Sequence, residues 1–498
     1  MLKQTLGSGL RWGVRCIAIL IAGAVSLLAQ AQTENTWKGT VSNGWEEPGN
    51  WSLGHVPTSM ERAVIKGGNV AASSILCAEL ALQAGTLTLG GGIASSSTTI
   101  SPGATLVITN DVPHHLTGIL TNHGTLLWQN GDINGDTFAP LVGHLVNEPD
   151  GVLDIWCDRA LGSALTLENR GRIFKNFGLG NSFNCAFTNS GRVEPRAGTL
   201  CFSQTYHQTA GQTKLAGGHI TITAPEGLRL LGGELSGAGI ITGQVTATGG
   251  SIIPGDSLGA SLSIVGDFEL AVGAILTCSA KGIDVGDFGR LVVAGNATLA
   301  GPIAFALAEG FVPSRGSRFR VIASGSLSGA FASCTFPAQP ADTDYFVRYT
   351  TKVAEVVAGV TSYADWQALH FGPESDPAIV GDNADPDGDG LPNLLEYAFG
   401  LEPLAAGSAG QPIIAVQPFG ADNARHLTMT FTTPATVTDL ALVPEASTDL
   451  KTWLSGPEQI VMVSDTTSGN RRTIVVRDAL PLSASNRRFL HLRVQVQP

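Results

Sequence analysis

A repeated asparagine and glycine pattern constrains the fold of this chain more than any other feature of its sequence. Four segments share a hydrophobic residue, a residue of any type, an Asn, a turn with Gly, and a second apolar stretch. Their asparagines are Asn122, Asn147, Asn169 and Asn189, so successive copies lie 25, 22 and 20 residues apart. A unit this short cannot bury its apolar face alone and must stack on its neighbours. The pattern therefore predicts a β-solenoid, with a parallel β-helix as the expected form.

The same pattern predicts where particular side chains point. The apolar residues that follow the glycines should face the core, and they are Leu126, Leu153, Ile173 and Val193. The asparagines should line up at one corner as a hydrogen-bonded ladder. Glycine should supply the positive φ that a tight corner needs. Units of this style extend from about Thr36 to Pro340, where helical periodicity is absent.

Composition and charge narrow the class of protein. A chain of 498 residues is long enough for roughly three folded units. Charged residues make up only 14% of it, against about 25% in ordinary globular domains, and Gly, Ala, Ser and Thr fill the difference. This bias is typical of stacked β structure and disfavours an α/β cytosolic enzyme. The formal net charge of −12 disfavours nucleic acid as a partner.

The first 31 residues are typical of a secretory signal peptide. Three basic residues precede an apolar stretch from Cys16 to Ala29, and Ala29-Gln30-Ala31 matches a small-x-small cleavage site. A membrane anchor is the alternative, but the apolar run is shorter than the ~20 residues that span a bilayer. Cleavage after Ala31 would change the formal charge from −12 to −15. We therefore expect a secreted, extracellular or outer cell-surface protein with no transmembrane segment after cleavage.

Six cysteines follow the expected cleavage site at sparse and irregular spacing: Cys77, Cys157, Cys185, Cys201, Cys278 and Cys334. Export permits disulfides, yet this spacing matches neither a small stapled scaffold nor a zinc site with paired CxxC motifs. Buried thiols that pack as small apolar residues are at least as good an interpretation. The sequence leaves the pairing open.

Two stretches resemble the β-solenoid passengers of bacterial autotransporters. The first is the tryptophan-rich opening around Trp37, Trp45 and Trp51, and the second and more specific one runs from Gly266 to Phe331 and resembles the closing rungs. The resemblance implies an exported bacterial solenoid of about 300 residues. Because the end of a solenoid exposes a sheet edge, we expect the three tryptophans to cap it. An exposed sugar-binding aromatic patch is the alternative.

Residues 385–396 match the calcium-loop pattern D-x-D-x-D-G-x₅-E in full. The ligand positions fall on Asp385, Asp387, Asp389, the carbonyl of Leu391, Asn393 and Glu396. Calcium takes six to eight oxygen ligands, and Gly390 permits the sharp turn that brings them together. The alternative is a solvated acidic linker, since residues 353–424 contain eleven acidic residues and no Lys or Arg. The complete match favours a single structural calcium ion.

The residues around this loop predict short helices. Pro392 suits a first helical turn, the run from Asn393 continues the helix, and Gly400 is a natural stop. Pro377 and Pro386 argue against a helix that runs into the loop, whereas Tyr363 to Phe371 is suited to a short amphipathic helix upstream. The segment therefore resembles thrombospondin type 3 and dockerin-like calcium modules rather than an EF-hand. Similar junctions precede a C-terminal sandwich in families of exported bacterial proteins, where stretches like residues 447–453 and 488–494 recur.

The predicted fold class is all-β. A signal peptide (1–31) precedes a solenoid with its tryptophan-rich cap (32–360), an acidic calcium-binding linker with short helices (361–410) and a small antiparallel β-sandwich (411–498). The sandwich is expected from the alternating apolar residues after residue 411, which turn residues interrupt.

No motif of a common enzyme class occurs in a supporting context. Some parallel β-helices are polysaccharide lyases or hydrolases, which need clustered carboxylates, or calcium beside a basic residue, on an exposed face. The candidates for such a site are Asp154, Asp158, Arg172 and Arg192, and the simpler interpretation makes them surface ion pairs with Glu168 and Glu194.

We therefore expect a structural or adhesion-type protein with no catalytic activity, stabilised by calcium and in contact with polysaccharide or a cell-envelope surface. A polysaccharide lyase or hydrolase that acts from the solenoid face is the alternative. A third interpretation makes the C-terminal segment a sorting or attachment module. The sequence names neither the ligand nor the oligomeric state.

Overall fold

The structure, a computed structural model, describes residues 32–135, 143–255, 260–338, 344–407, 410–484 and 487–497. The expected signal peptide lies outside the described residues. The main element is a parallel β-solenoid, in which almost every strand pairs in parallel with the third strand before it and the third after it. This period of three produces three sheets, which we name the first, second and third faces.

The first face contains Thr33–Thr36, Glu61–Ile65, Glu79–Leu82, Ser97–Ile100, Ile119–Asn122, Gly143–Asn147, Leu165–Asn169, Ala186–Asn189, Tyr206–Gln208, Leu228–Leu230, Val245–Ala247 and Phe268–Leu270. The second contains Asn69–Ala72, Thr86–Leu89, Thr105–Ile108, Thr125–Trp128, Val152–Ile155, Arg172–Lys175, Arg192–Pro195, Gln212–Ala216, Gly250–Pro254, Ala274–Ala280, Ile303–Leu307 and Cys334–Thr335. The third contains Ile75–Leu76, Ile93–Ala94, His114–Leu116, Ile133–Gly135, Ala160–Leu161, Gly180–Phe183, Thr199–Phe202, His219–Ile222 and Ala260–Val265. Three longer strands bend across corners and serve two faces: Glu234–Thr242, Gly289–Leu299 and Ser317–Gly329.

The core of the solenoid follows from the alternation of side chains along each strand. Leu126, Leu153, Ile173 and Val193 are all buried, as the sequence predicts. They also occupy one register position on four successive rungs of the second face, so each packs on the next. The expectation of a parallel β-helix with these residues inside is confirmed.

The asparagines form the predicted ladder along one edge of the first face. The side-chain amide of Asn122 donates to Oδ1 of Asn147, Asn147 donates to Asn169, and Asn169 donates to Asn189, each at 2.7 Å. All four side chains are buried. Each of the first three amides also donates to the backbone carbonyl of the first residue of the second-face strand in the next rung, such as Arg192 for Asn169 at 3.2 Å. The ladder therefore satisfies polar groups that water cannot reach.

The glycines of the repeat serve a different purpose from the one predicted. Gly124, Gly151, Gly171 and Gly191 do not have positive φ, so the expectation of a left-handed corner is wrong at these positions. A Cβ atom at each would instead lie 2.1–2.3 Å from a backbone carbonyl oxygen of the preceding rung. Glycine is required because the backbones of adjacent rungs approach too closely for any side chain.

Both ends of the solenoid are covered. At the N-terminal end, Trp51 packs edge-to-face against Trp37 and Trp45, with ring centroids 5.2 and 4.6 Å apart, and its indole N–H donates to the Trp45 carbonyl. All three rings are buried in the solenoid core, so they form the predicted cap and not an exposed sugar-binding patch. A short 3₁₀ helix, Pro48–Asn50, lies within this cap. At the other end, Val353–Ala358 pairs antiparallel with Ser317–Gly329 and with Tyr345–Tyr349, which closes the third face.

Three short helices follow: α1 (Tyr363–Phe371), α2 (Pro377–Val380) and α3 (Asn393–Phe399). Helix α1 has the predicted bounds, and α3 stops at Gly400 in the left-handed conformation, as expected. No helix runs into the loop, as predicted, because α2 ends at Val380. The sequence did not predict α2 itself, which begins at Pro377, where the missing N–H of proline costs nothing. Pro392 caps α3 rather than lying in its first turn. None of the helices among the described residues is long and apolar enough to span a bilayer.

The C-terminal part is a small antiparallel sandwich. One sheet has the order Ile413–Phe419, Ala424–Pro434, Arg471–Asp478 and Ile460–Ser468, and a second pairs Leu440–Ser447 with Phe489–Val496. A 3₁₀ turn, Leu482–Ala484, precedes the last strand. Phe431 and Ile474 of the larger sheet share a core with Phe399 of α3, and Leu442 and Leu490 of the smaller sheet pack against it. The sandwich and the helical segment are therefore one packed body.

Candidate metal centre

The acidic loop lies between α2 and α3, and its shape comes from its own hydrogen bonds. The carboxylate of Asp385 accepts the backbone N–H groups of Gly388, Asp389 and Gly390 at 2.9, 3.2 and 2.9 Å. Gly388 and Gly390 have φ of 74° and 91°, values that side chains rarely allow. The backbone therefore curls around the carboxylate of Asp385 and returns the chain to the start of α3.

This curl brings the carboxylates of the loop together. One oxygen from each of Asp385, Asp387 and Asp389 lies within 4.8 Å of the other two. Oδ1 of Asp389 accepts the N–H of Leu391 at 2.8 Å, and its Oδ2 accepts the N–H of Gly407 at 3.0 Å. These bonds fix the backbone at Leu391, the residue whose carbonyl the sequence assigns to the seventh loop position.

Three oxygen atoms at the remaining assigned positions have no hydrogen-bond partner although they are buried. They are Oδ2 of Asp387, Oδ1 of Asn393 and Oε2 of Glu396. The amide nitrogen of Asn393 is engaged, because it donates to the carbonyls of Ile379 and Gly381 at 2.8 and 3.0 Å. Leaving a buried acceptor unpaired costs about 1–3 kcal/mol. Three unpartnered acceptor oxygens within one twelve-residue loop are the arrangement expected of a cation-binding site.

The electrostatics of Glu396 agree with this geometry. Burial, together with the nearby charges of Asp387, Asp389 and Asp385, raises the pKa of its carboxyl to about 7. The side chain is 1% exposed. Four carboxyl groups thus lie near one another, with Glu396 buried among them, and a divalent cation is the simplest group that relieves their repulsion.

The donor set fits a hard cation. Every candidate ligand atom is an oxygen, from four carboxylates, one side-chain amide and one backbone carbonyl, which matches the preference of calcium. No Cys or His contributes to the cluster, so a zinc site of the usual kind does not fit these residues. The residues that could hold the ion are those assigned from the sequence: Asp385, Asp387, Asp389, Leu391, Asn393 and Glu396.

Helices α1 and α3, which precede and follow the loop, link the solenoid to the sandwich. Asp365 of α1 is fully buried and accepts from Arg318 of the solenoid at 2.8 and 3.0 Å. Asp439 of the sandwich accepts the N–H of Tyr363 at 2.7 Å and the hydroxyl of Tyr397 at 2.6 Å. Tyr363 and Tyr397 also pack together with ring centroids 5.3 Å apart. A rigid loop would therefore hold α3 in place against α1 and the sandwich.

The sequence did not single out Asp365 or Asp439 for this role. Both are isolated acidic residues with no motif around them, and their partners lie 47 and 76 or 42 residues away. Their roles depend on burial and on contacts with distant residues, neither of which the sequence alone reveals.

The solenoid residues considered for catalysis have structural partners. Asp158 accepts the N–H groups of Leu179 and Gly180 and pairs with the buried Lys175 at 3.3 Å. Asp154 accepts from the amide of Asn176 at 2.6 Å. The pair Asp154 and Asp158 is not among the acidic clusters that the described residues form.

One of the two arginine candidates, Arg192, belongs to a surface ion pair. Arg172 and Arg192 occupy matching register positions on adjacent rungs, as predicted. Arg192 pairs with Glu194, but Glu168 pairs with Arg170 at 2.9 Å and not with Arg172. The interpretation as surface ion pairs therefore holds for Arg192 and Glu194, whereas the partner of Glu168 is Arg170, which was not one of the candidates.

The six cysteines of the described residues are free thiols, which settles the question that the sequence left open in favour of unpaired cysteines. Burial raises the pKa of Cys77, Cys185 and Cys278 to about 12 and that of Cys157 to about 11. Protonated thiols of this kind are poor nucleophiles and poor metal ligands. They pack as small apolar side chains.

No protein-family model matches the chain, and no curated protein is significantly similar to it in sequence. The parallel solenoid is established by the structure, whereas the resemblance to autotransporter passengers and to thrombospondin type 3 or dockerin-like modules stays an interpretation of the sequence.

Proposed function

We propose that this protein is an exported, non-catalytic solenoid of a bacterial cell surface or its surroundings, in which one calcium ion fastens the solenoid to the C-terminal sandwich. The observation that carries the calcium assignment is the set of three buried, unpartnered oxygens on Asp387, Asn393 and Glu396. Their positions in the loop are the third, ninth and twelfth, where a calcium loop places ligands.

The ion would act as a structural clamp. Only one loop of this type occurs in the sequence, whereas calcium sensors generally use paired loops. Helix α3 starts inside the loop and buries Phe399 in the core of the sandwich. Calcium would neutralise the four carboxylates and so remove the repulsion that opposes this arrangement.

Export and a surface role rest on the sequence. The first 31 residues have the features of a signal peptide, and extracellular fluids supply calcium at concentrations that suit even weak sites. A stacked solenoid presents long repetitive faces, which suits adhesion or a structural surface role. An adhesive role therefore needs a surface partner.

Calorimetric titration of residues 32–498 with calcium tests the clamp. We expect one site, no binding in Asp387→Ala, and unchanged binding in Asp422→Ala, which removes an exposed carboxylate outside the loop. Thermal unfolding should shift upward with calcium and return with chelator, because calcium at a hundred times its Kd stabilises by about 2.7 kcal/mol. Magnesium should compete poorly, since it demands a smaller octahedral site.

Two results would contradict the proposal. Absence of calcium binding would make the loop a solvated acidic linker. Binding without any change in the unfolding of the sandwich and helices would show that the ion does not act as a clamp.

A further inference from the structure

The outer side of the second face carries an open cleft, and none of its lining residues belongs to the acidic loop. The cleft has a volume of about 660 Å³ and is lined by Leu127, Gln129, Asp154, Trp156 and Phe177. These residues come from three successive rungs. Successive rungs are stacked about 4.8 Å apart along the solenoid axis, so a cleft lined by three of them runs along that axis.

Two aromatic rings stand out in this cleft because they do not contribute to the core. Trp156 is 47% exposed and Phe177 is 59% exposed. By contrast, Phe183 and Phe187 pack inside the solenoid, and the half-buried ring of Phe174 is covered by Arg196. Exposed aromatic side chains beside one another in a concave surface are typical of binding sites rather than of bare surface.

Polar side chains with fixed orientations flank the rings. Asn176 donates to Asp154 at 2.6 Å and accepts from Arg196 at 3.2 Å, and Arg196 also donates to Glu194 at 2.7 Å. The guanidinium of Arg196 lies 4.0 Å from the centroid of the Phe174 ring. This row of side chains offers hydrogen-bond acceptors, donors and a ring face along three rungs, with two carboxylates and one guanidinium.

A buried lysine holds the corner that carries Phe177. Lys175 is fully buried, and its ammonium donates to the carbonyls of Phe177 and Cys157 at 2.5 and 3.2 Å. Asp158 accepts the N–H groups of Leu179 and Gly180 from the same corner at 2.8 and 2.9 Å. The Phe177 ring is therefore presented by a backbone that is already ordered, which reduces the entropy cost of binding.

We propose that this cleft binds a neutral polysaccharide, a partner chemistry that rests on the surface role proposed above. Sugar rings have an apolar C–H face that stacks on Trp156 and Phe177, and hydroxyl edges that suit amide, carboxylate and guanidinium groups. Asp154 and Glu194 carry two negative charges against the one positive charge of Arg196, which does not favour a polyanion. A peptide strand is disfavoured because the backbone of this face is already paired on both sides.

Affinity gel electrophoresis of residues 32–498 tests the assignment. The gels contain laminarin, galactomannan or hydroxyethyl cellulose as neutral probes, and alginate as the anionic comparison. We expect retardation by at least one neutral probe, with affinity reduced roughly tenfold or more in Trp156→Ala and in Phe177→Ala, as for aromatic anchors of other interfaces. Trp453→Ala is the matched control, because this tryptophan belongs to the sandwich and stacks on His491.

Circular dichroism confirms that the variants fold, which we expect because both rings are half exposed. No retardation by any neutral probe, retardation by alginate alone, or equal affinity in the wild type and the two cleft variants would each overturn the assignment. The gels are repeated with a chelator, so that a failure of the calcium clamp is distinguished from a failure of sugar binding.

Discussion

Replacing Asn169 with alanine tests whether the asparagine ladder holds the rungs together. Its side chain accepts from Asn147 and donates to Asn189, both at 2.7 Å, and donates to the carbonyl of Arg192 at 3.2 Å. Each buried hydrogen bond contributes about 1 kcal/mol net, and the groups left unpaired add to the loss. We therefore expect Asn169→Ala to lower the free energy of unfolding by about 3–4 kcal/mol.

The assay is urea unfolding followed by circular dichroism, with hydrogen exchange to locate the change. Because rungs contact only their neighbours, exchange should accelerate most in strands Leu165–Asn169 and Ala186–Asn189. Asn176→Ala is the control, since Asn176 lies on the same rung, outside the core, and should cost under about 1 kcal/mol. A double-mutant cycle of Asn147→Ala and Asn169→Ala should give a coupling energy of about 1 kcal/mol.

Equal losses in Asn169→Ala and Asn176→Ala would refute the reasoning, because burial would then not matter. A coupling energy near zero would show that the amide-to-amide bond carries no stability of its own. Uniform acceleration of exchange over all rungs would show that the stabilising effect of the ladder is not confined to neighbouring rungs.

Three further predictions follow from other parts of the molecule. Trp51→Ala should cost about 3–5 kcal/mol and, by opening the capped sheet edge, should produce self-association that light scattering detects. For Asp365, burial raises the carboxyl pKa, but hydrogen bonds from Thr361 and Arg318 outweigh it and hold the pKa below its ordinary value of 3.8. The stability from this group is present above pH 3.8 and is lost as pH falls through the lowered pKa, so Asp365→Asn should flatten the acid side of the urea-midpoint profile. Asp439→Ala removes the acceptor of two hydrogen bonds, so it should cost about 2–3 kcal/mol and split thermal unfolding by calorimetry into separate solenoid and sandwich transitions.

The solenoid is predictable from the sequence because the pattern of Asn, Gly and apolar residues that specifies each rung recurs along the chain. Rung length sets the spacing of Asn122, Asn147, Asn169 and Asn189, and alternation along each strand sets which side chains face inward. The physical role of the glycines was not predictable in the same way. A short turn and a close approach between rungs both demand glycine, and only the distance between neighbouring backbones distinguishes the two.

The acidic loop is predictable for a different reason. All of its candidate ligands lie within twelve consecutive residues, so local backbone geometry is enough to bring Asp385, Asp387 and Asp389 together. The burial of Glu396 and the unpartnered oxygens depend on packing against α2 and the sandwich, and no local pattern reports that packing. The start of α2 at Pro377 was missed because proline is excluded from helix interiors but not from the first turn.

The sequence by itself determined the class of this protein: the repeat length specifies stacked rungs, the alternation specifies their inner face, and the loop pattern specifies an oxygen-rich site. Only the tertiary structure decided which residues from different rungs become neighbours. Trp156 and Phe177 are 21 residues apart in the chain and join one cleft because the parallel register places their rungs side by side. Asp158 and Lys175 meet in the same way, as do Asp365 and Arg318 across the end of the solenoid. Periodicity fixes what each rung buries, whereas register and stacking, which depend on all the rungs together, fix what the outer surface assembles.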